Sequence, residues 1–190
     1  MLRLYPVEPN QIGKELQGMF ETSRPGLEGI PNFLRILSNS PAAALAYMRA
    51  EGALSQGRLS VRQREQIALA VAEINGSEYC LLAHAAAGGK AGLSGEEIQS
   101  ARRAAAAEAR DGQMLRFTQS MVLQRGEISD EDFSALRKAG FTDAEVIEIV
   151  ANIALNVFTN YLNILSKTEV DFPAIADGEA KKADGQSTPV

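Results

Sequence analysis

Apolar residues recur along the 190-residue chain at intervals of three and four positions, between short polar segments that contain Pro or Gly. This spacing places apolar side chains on one face of a helix and predicts amphipathic helices. No segment alternates as a half-buried strand does, so the pattern predicts an all-α protein, a compact multi-helix bundle. The predicted helices begin and end near residues 13–22, 31–37, 42–54, 61–74, 94–107, 113–124, 129–140 and 142–165, with one more opening at Ser77.

Helix starts are marked by a Ser or Thr followed three residues later by Gln or Glu, which is the capping-box pattern. The pairs are Ser60 with Gln63, Ser94 with Glu97, and Thr142 with Glu145. The first pair opens the helix 61–74, where Ile67, Val71 and Ile74 are predicted to form a buried stripe that Leu69 and Ala72 broaden. Gln66 is predicted to face outward.

Composition along the chain divides it into three parts. Residues 1–27 are predicted to be an N-terminal extension with a short helix, and residues 28–173 a helical domain. From residue 174 to 190 the sequence turns small, charged and polar, which predicts a disordered tail.

The last predicted helix carries a row of four asparagines among its apolar residues. They are Asn152, Asn156, Asn160 and Asn163, at spacings of four, four and three. Such a row is typical of a hydrogen-bonding seam inside a helix bundle or subunit interface. A row that lines a substrate is the alternative.

Charge, apolar segments and cysteine content disfavour several classes of protein. The net charge of −5 and the pI near 5.0 disfavour nucleic-acid binding. No signal peptide is recognisable, and no segment resembles the roughly 20 apolar residues of a membrane span, so we expect a cytoplasmic protein with no membrane partner. One cysteine and one histidine leave too few ligands for a typical zinc site, and we expect neither metal nor organic cofactor.

The only cysteine and the only histidine lie four positions apart, at Cys80 and His84. Gly76 and Ser77 precede them as a turn and a predicted N-cap, whose hydroxyl can accept the backbone N–H of residue 80. Cys80 then lies in the first helical turn, where the helix dipole favours a thiolate, and His84 lies on the same face. These are the parts of an activated nucleophile, although a lone cysteine is more often a buried structural thiol. Glu65, by itself, has the pattern of a solvated first-turn carboxylate.

Several short runs resemble the alkylhydroperoxidase-D / carboxymuconolactone decarboxylase family over roughly residues 28–173. The runs are Arg64-Glu65, Ala70-Val71-Ala72, Asn75-Gly76-Ser77-Glu78-Tyr79-Cys80, Ala83-His84 and Gly92-Leu93-Ser94. Peroxidase members of this family carry a glutamate, a Cys-x-x-Cys pair twelve positions later, and a histidine four residues after the second cysteine. Glu65, position 77, Cys80 and His84 fit this spacing.

The resemblance implies a fold and a set of roles. It implies an antioxidant thiol peroxidase in which Cys80 attacks a small hydroperoxide while Glu65 and His84 form a proton relay. Ser77 stands where the family has the partner cysteine, and a serine cannot close a disulfide with a sulfenic acid. An external thiol or dithiol is therefore the expected reductant. The family also implies a homo-oligomer, as a dimer, trimer or hexamer, and the Ala/Gly-rich run at 85–92 suits close helix packing.

Two other functions remain open at this point. One is a carboxymuconolactone decarboxylase-type lyase that uses Glu65 and His84 as acid and base. The other is a non-enzymatic helical oligomer in which Cys80 senses oxidants.

Overall fold

A computed structural model describes residues 2–23 and 29–171 and shows them to be helical. A 3-10 turn at Pro9–Gln11 precedes nine α-helices in this part of the chain. The helices are α1 (Lys14–Ser23), α2 (Asn32–Leu37), α3 (Pro41–Ser55), α4 (Val61–Asn75), α5 (Glu78–Lys90), α6 (Gly95–Arg102), α7 (Ala109–Leu123), α8 (Asp130–Lys138) and α9 (Asp143–Ser166). No strand occurs in those two ranges, so the all-α prediction is confirmed. The predicted tail, 174–190, lies outside the described residues.

Helix α4 is the centre of the domain and packs against α5, α6, α7 and α9. Residues 67–72 are at most 2% exposed, because neighbours cover the helix on all sides. Alanines at positions 68, 70 and 72 let those neighbours approach closely. The predicted stripe was therefore too narrow, and the outward placement of Gln66 was wrong, since this residue is only 3% exposed.

Two apolar clusters lie around α4. One joins α4 to the helices α6 to α9, through residues such as Leu69, Met114 and Ile149. The other joins α1, α2 and α3 to the start of α5 and includes Leu34, Met48 and Cys80. The first turn of α5 is consequently part of the interior.

All three predicted capping boxes form, at the starts of α4, α6 and α9. The boundary between α6 and α7 differs from the prediction. Helix α6 ends at Arg102 rather than near residue 107, because Ala104 takes a positive φ of 54° that helical residues do not adopt. Helix α7 already begins at Ala109 rather than at residue 113, so Gly112 lies inside it. A Cβ at that glycine would lie 3.3 Å from the Ala106 carbonyl oxygen, so glycine permits close packing of the preceding loop there.

Helix α9 has 24 residues and, in the described part of the chain, is the one helix long and apolar enough to cross a bilayer. The expectation that no segment meets this test was therefore wrong. Such a test is also passed by core helices, and 44% of the most apolar window of α9 is buried inside the domain. Helix α9 packs along α4 and buries asparagines, so it is a core helix of a compact helical domain.

Candidate active site at the start of α5

A two-residue connection between α4 and α5 positions the site. Gly76 ends α4 with a φ of 69°, a left-handed conformation that glycine adopts without strain. The backbone N–H groups of Gly76 and Ser77 both donate to the Ala72 carbonyl, which closes the end of α4. Helix α5 then starts beside α4, and Cys80 is its third residue.

Ser77 occupies the predicted N-cap position of α5, but its hydroxyl does not make the predicted bond. No backbone N–H of α5 donates to the side chain of this residue. Ser77 is 1% exposed, and its Oγ has no hydrogen-bond partner among the described residues. Because buried hydroxyls are usually bonded, an unpartnered Oγ is an uncommon feature at this position.

The Cys80 thiol is buried between α5 and α9, at 3% exposure. Its Sγ accepts a hydrogen bond from the Asn163 side-chain amide, with Nδ2 and Sγ 3.2 Å apart. An amide N–H stabilises a negatively charged acceptor more than a neutral one. Negative charge that develops on this sulfur during a reaction would therefore have a hydrogen-bond donor beside it.

Glu65 of α4 and His84 of α5 form the second pair of the site. Oε2 of the glutamate and Nδ1 of the histidine are 2.8 Å apart, and both side chains are partly buried. An ionised carboxylate only accepts hydrogen bonds, so Nδ1 carries the proton in this pair. The lone pair of the neutral imidazole is then on Nε2, which makes His84 competent as a base.

The structure brings the predicted residues together as two pairs rather than as one chain of hydrogen bonds. Glu65 bonds His84, and Cys80 bonds Asn163. His84 follows Cys80 by one helical turn on the same face of α5, and no hydrogen bond joins the two side chains directly in the described part of the chain.

Asn163 is the site residue whose contact with the thiol was not predicted. The sequence identified it only as the last member of the asparagine row of α9. Its partner Cys80 is 83 positions away, so no local pattern could connect them. Among the other members of the row, Asn152 and Asn156 bond carbonyls of their own helix, and Asn160 accepts from Asn75 of α4.

Tyr79, beside the cysteine, anchors the segment that follows α9. Its hydroxyl donates to Asp171 at 3.1 Å, and the same carboxylate accepts the backbone N–H of Asn32 at 2.6 Å. Burial, and then the negative charge of Asp171, raise the pKa of Tyr79 above its ordinary value. The tyrosine therefore stays protonated at physiological pH and links α2, α5 and the segment after α9.

A cleft of about 310 Å³ opens at this end of the domain, between the start of α5 and the end of α9. Its lining residues are Gly76, Ser77, Glu78, Tyr79, Asn163, Ile164, Lys167, Thr168 and Val170. Asn163 thus lies both on the cleft wall and against the Cys80 sulfur. Within residues 2–23 and 29–171, no three His, Cys, Asp or Glu side chains are grouped as metal ligands would be.

Comparison with known proteins supports the resemblance found in the sequence. Residues 41–121 match the model of the carboxymuconolactone decarboxylase family. No curated protein matches the chain.

Solved structures share the fold over nearly the whole chain. An uncharacterized peroxidase-related protein from Silicibacter sp. TM1040 is 27% identical, with a TM-score of 0.76 over 90% of this chain and 91% of that one. The alkylhydroperoxidase AhpD core of a peroxidase-related protein from Ralstonia eutropha JMP134 is 24% identical, with a TM-score of 0.78 over 88% and 91%. A cysteine-to-alanine variant of the debrominase Bmp8, in complex with 2,3,4-tribromopyrrole, is 16% identical, with a TM-score of 0.78 over 90% and 92%. The last two are similar in fold alone.

The predicted similarity to the alkylhydroperoxidase-D-like / carboxymuconolactone decarboxylase family is therefore confirmed, in the family match and in the fold.

Proposed function

We propose that this protein is an antioxidant thiol peroxidase that reduces small hydroperoxides through Cys80. The observation that supports it most is the Glu65–His84 pair, with its 2.8 Å hydrogen bond, one helical turn from a cysteine whose sulfur accepts an amide N–H. This arrangement combines a nucleophile, a base and a group that orients the base. The similarity to a peroxidase-related protein at 27% identity points the same way.

The reaction has two halves. His84, oriented by Glu65, takes the thiol proton, and the Cys80 thiolate attacks the distal oxygen of the hydroperoxide. The S–O bond forms while the O–O bond breaks, so the sulfur loses two electrons and the peroxide leaves as an alcohol after protonation. Cys80 becomes a sulfenic acid.

The second half needs an external reductant, since the chain has one cysteine and Ser77 stands where a partner thiol would lie. One external thiol attacks the sulfenic sulfur and expels water, which forms a mixed disulfide with Cys80. A second thiol then attacks this disulfide, releases the oxidised reductant and restores the Cys80 thiol. A dithiol supplies both equivalents in one molecule.

The test is hydroperoxide consumption by the purified protein with dihydrolipoamide or dithiothreitol as electron donor. Cys80→Ala is expected to abolish turnover. Glu65→Gln is expected to lower kcat/KM by about 10²-fold or more, the usual contribution of acid–base catalysis. Glu73→Gln is the matched control, because Glu73 is another α4 carboxylate and its partner is Arg102 rather than His84. Turnover that survives in Cys80→Ala would contradict the proposal.

Assays on the same purified protein also distinguish the peroxidase from the lyase and redox-sensor alternatives. A decarboxylase would release carbon dioxide from a carboxylactone, and this release would survive in Cys80→Ala. A sensor would be oxidised at Cys80 once and would not be recycled by either thiol donor.

A further inference from the structure

The Cys80 thiol is closed off from solvent. Cys80 is 3% exposed, and it is not among the residues that line the neighbouring cleft. Asn163 connects the two, because it lines the cleft while its amide bonds the sulfur at 3.2 Å. A dissolved reagent can therefore contact Sγ only after a local movement of the structure around Asn163.

The segment that follows α9, residues 167–171, forms one wall of this cleft, and we call it the strap. Its residues Lys167, Thr168 and Val170 line the cleft. None of the five residues belongs to a helix, and four of them are exposed. Exposed segments with few buried contacts open at the lowest free energy, so the strap is the part of the cleft most ready to move.

Asp171 fastens the strap to two helices at once. Its Oδ1 accepts the Tyr79 hydroxyl of α5 at 3.1 Å, and its Oδ2 accepts the backbone N–H of Asn32, the first residue of α2, at 2.6 Å. The side-chain amide of Asn32 in turn donates to the Glu169 carbonyl at 3.2 Å. We call these three hydrogen bonds the latch, and all of them join the strap to distant parts of the sequence.

Helix α2 depends on the latch for its N-terminal cap. Its N-cap residue is Pro31, which makes no side-chain cap bond. The first two N–H groups of α2 donate instead to Asp171 and, at 3.4 Å from Phe33, to the Tyr79 hydroxyl. A carboxylate at a helix N-terminus is favourable, and hydrogen bonds to a charged acceptor are among the stronger ones. The closed position of the strap is therefore a defined state.

We propose that the strap is a gate for Cys80, held closed by the latch at Asp171. The backbone N–H of Thr168 donates to the Asn163 carbonyl at 3.2 Å, and the Thr168 and Ser166 hydroxyls are 2.8 Å apart. The strap thus holds the last turn of α9, which carries Asn163. When the latch breaks, this turn frays and the Asn163 amide leaves the sulfur.

The gate goes beyond the proposed function, because it concerns access to the thiol and applies to any reagent that attacks it. Its test is therefore alkylation of Cys80 by iodoacetamide in the folded full chain, followed by intact mass spectrometry. The chain has one cysteine, so the mass reports this thiol alone. The rate in the folded protein divided by the rate in the urea-unfolded protein measures how often the thiol is accessible.

Asp171→Ala and Tyr79→Phe are the test variants, since each removes one side of the bond between α5 and the strap. Glu169→Ala is the matched control. It also removes a carboxylate from the strap, but the latch uses the backbone carbonyl of this residue.

Each test variant is expected to be alkylated about tenfold faster or more, the usual effect of losing a hydrogen bond to a charged group. The double variant should gain less than the product of the two single effects, because both changes remove the same bond. The rate should change little between 0 and 1 M urea, since opening of the strap exposes little surface. Glu169→Ala should react as the wild type does.

Alkylation of both test variants at the wild-type rate would overturn the gate. A wild-type rate that rises with urea as steeply as global unfolding would also overturn it, because Cys80 would then be reached by unfolding alone. A wild-type thiol that reacts as fast as in the unfolded chain would show that no gate exists. Should Asp171→Ala fail to fold, Tyr79→Phe, which keeps the buried ring, decides alone. None of these outcomes depends on peroxidase turnover, so the gate and the proposed function can fail separately.

Discussion

The Glu65 carboxylate and the His84 imidazole meet at 2.8 Å between Oε2 and Nδ1, across the helical pair α4 and α5. Because the carboxylate accepts, the bond selects the imidazole tautomer that has its proton on Nδ1 and its lone pair on Nε2. The chain has a single histidine, so this tautomer can be observed without ambiguity.

Nitrogen NMR of the imidazole is expected to show the Nδ1–H tautomer in the neutral wild-type protein. Glu65→Gln should replace it with a mixture of tautomers, since a glutamine amide can both donate and accept. Glu73→Gln should leave the spectrum unchanged. A Glu65→Gln spectrum identical to that of the wild type would show that the carboxylate does not orient the ring.

Ser77→Cys is expected to restore a disulfide partner for Cys80. The two residues would form a Cys-x-x-Cys pair at a helix N-terminus, where thiols readily exchange. After one equivalent of hydroperoxide, the variant should lose two hydrogens in mass and show no free thiol. The wild type should instead gain one oxygen. A variant that also stays at the sulfenic acid would indicate that the two side chains do not reach each other.

Two serine N-caps are expected to differ in their contributions to stability. The Ser60 hydroxyl accepts the backbone N–H of Gln63, so Ser60→Ala should cost about 1 kcal/mol, which corresponds to about 2–4 °C in Tm. The Ser77 hydroxyl makes no such bond, and Ser77→Ala should not lower Tm. Calorimetry of both variants measures the difference. Equal losses would mean that the Ser77 hydroxyl contributes a bond to the folded protein.

Acid is expected to destabilise the fold partly through Glu145. Burial is the largest single influence and raises the pKa of Glu145, but bonds from Thr142 and Arg110 together lower the pKa below its ordinary value. The folded state therefore holds fewer protons than the unfolded state near the unfolded pKa of about 4.3. The stabilisation is present above that pH and is lost as the pH falls through the folded pKa.

Urea unfolding from pH 7 to pH 3 measures this dependence. Glu145→Gln retains the capping-box geometry but cannot titrate, so its free energy of unfolding should fall less steeply with acid than that of the wild type. Glu108→Gln, which changes an α7 N-cap residue without a side-chain cap bond, is the control. Identical slopes for Glu145→Gln and wild type would contradict the assignment.

The homo-oligomer implied by the family resemblance remains a prediction, and α9 offers the surface for it. One side of this helix exposes large apolar side chains: Ile147, Val150, Phe158, Tyr161 and Leu165. A second copy that covers this face should be displaced by the double change Ile147→Glu and Phe158→Glu. Light scattering should show a smaller mass for this variant, and Leu123→Glu, an exposed position on α7, should leave the mass unchanged. An unchanged mass in the double variant would place the interface elsewhere.

Local signals in the sequence were sufficient for most helix starts. The capping boxes at Ser60, Ser94 and Thr142 form as predicted, because a cap depends on residues three positions apart. The predicted end of α6 was wrong by several residues. The Ala-rich run 104–107 favours a helix locally, but the backbone turns at Ala104 in the packed structure. The predicted exposure of Gln66 was also wrong, because the burial of this residue depends on the helices that surround α4 rather than on its neighbours in the chain.

In the candidate site, too, some features follow from the local sequence and others from the packing of helices. Cys80 and His84 are one turn apart on a single helix, so the sequence alone placed them on one face. The spacing of Glu65 matched the family, but its contact with Nδ1 of His84 exists only because α4 and α5 pack side by side. The roles assigned to these three residues and to Ser77 stay predictions.

Helical periodicity and capping residues thus determined from sequence that the chain is helical, since these depend on interactions within a few residues. The sequence also placed its single thiol and single imidazole one turn apart on one helix. Tertiary structure decided that Asn163 bonds the thiol, that the Ser77 hydroxyl makes no cap bond, and that both line one cleft. The physical reason is that these features require α5 and α9 to pack together, and the geometry of that packing is set by the whole core.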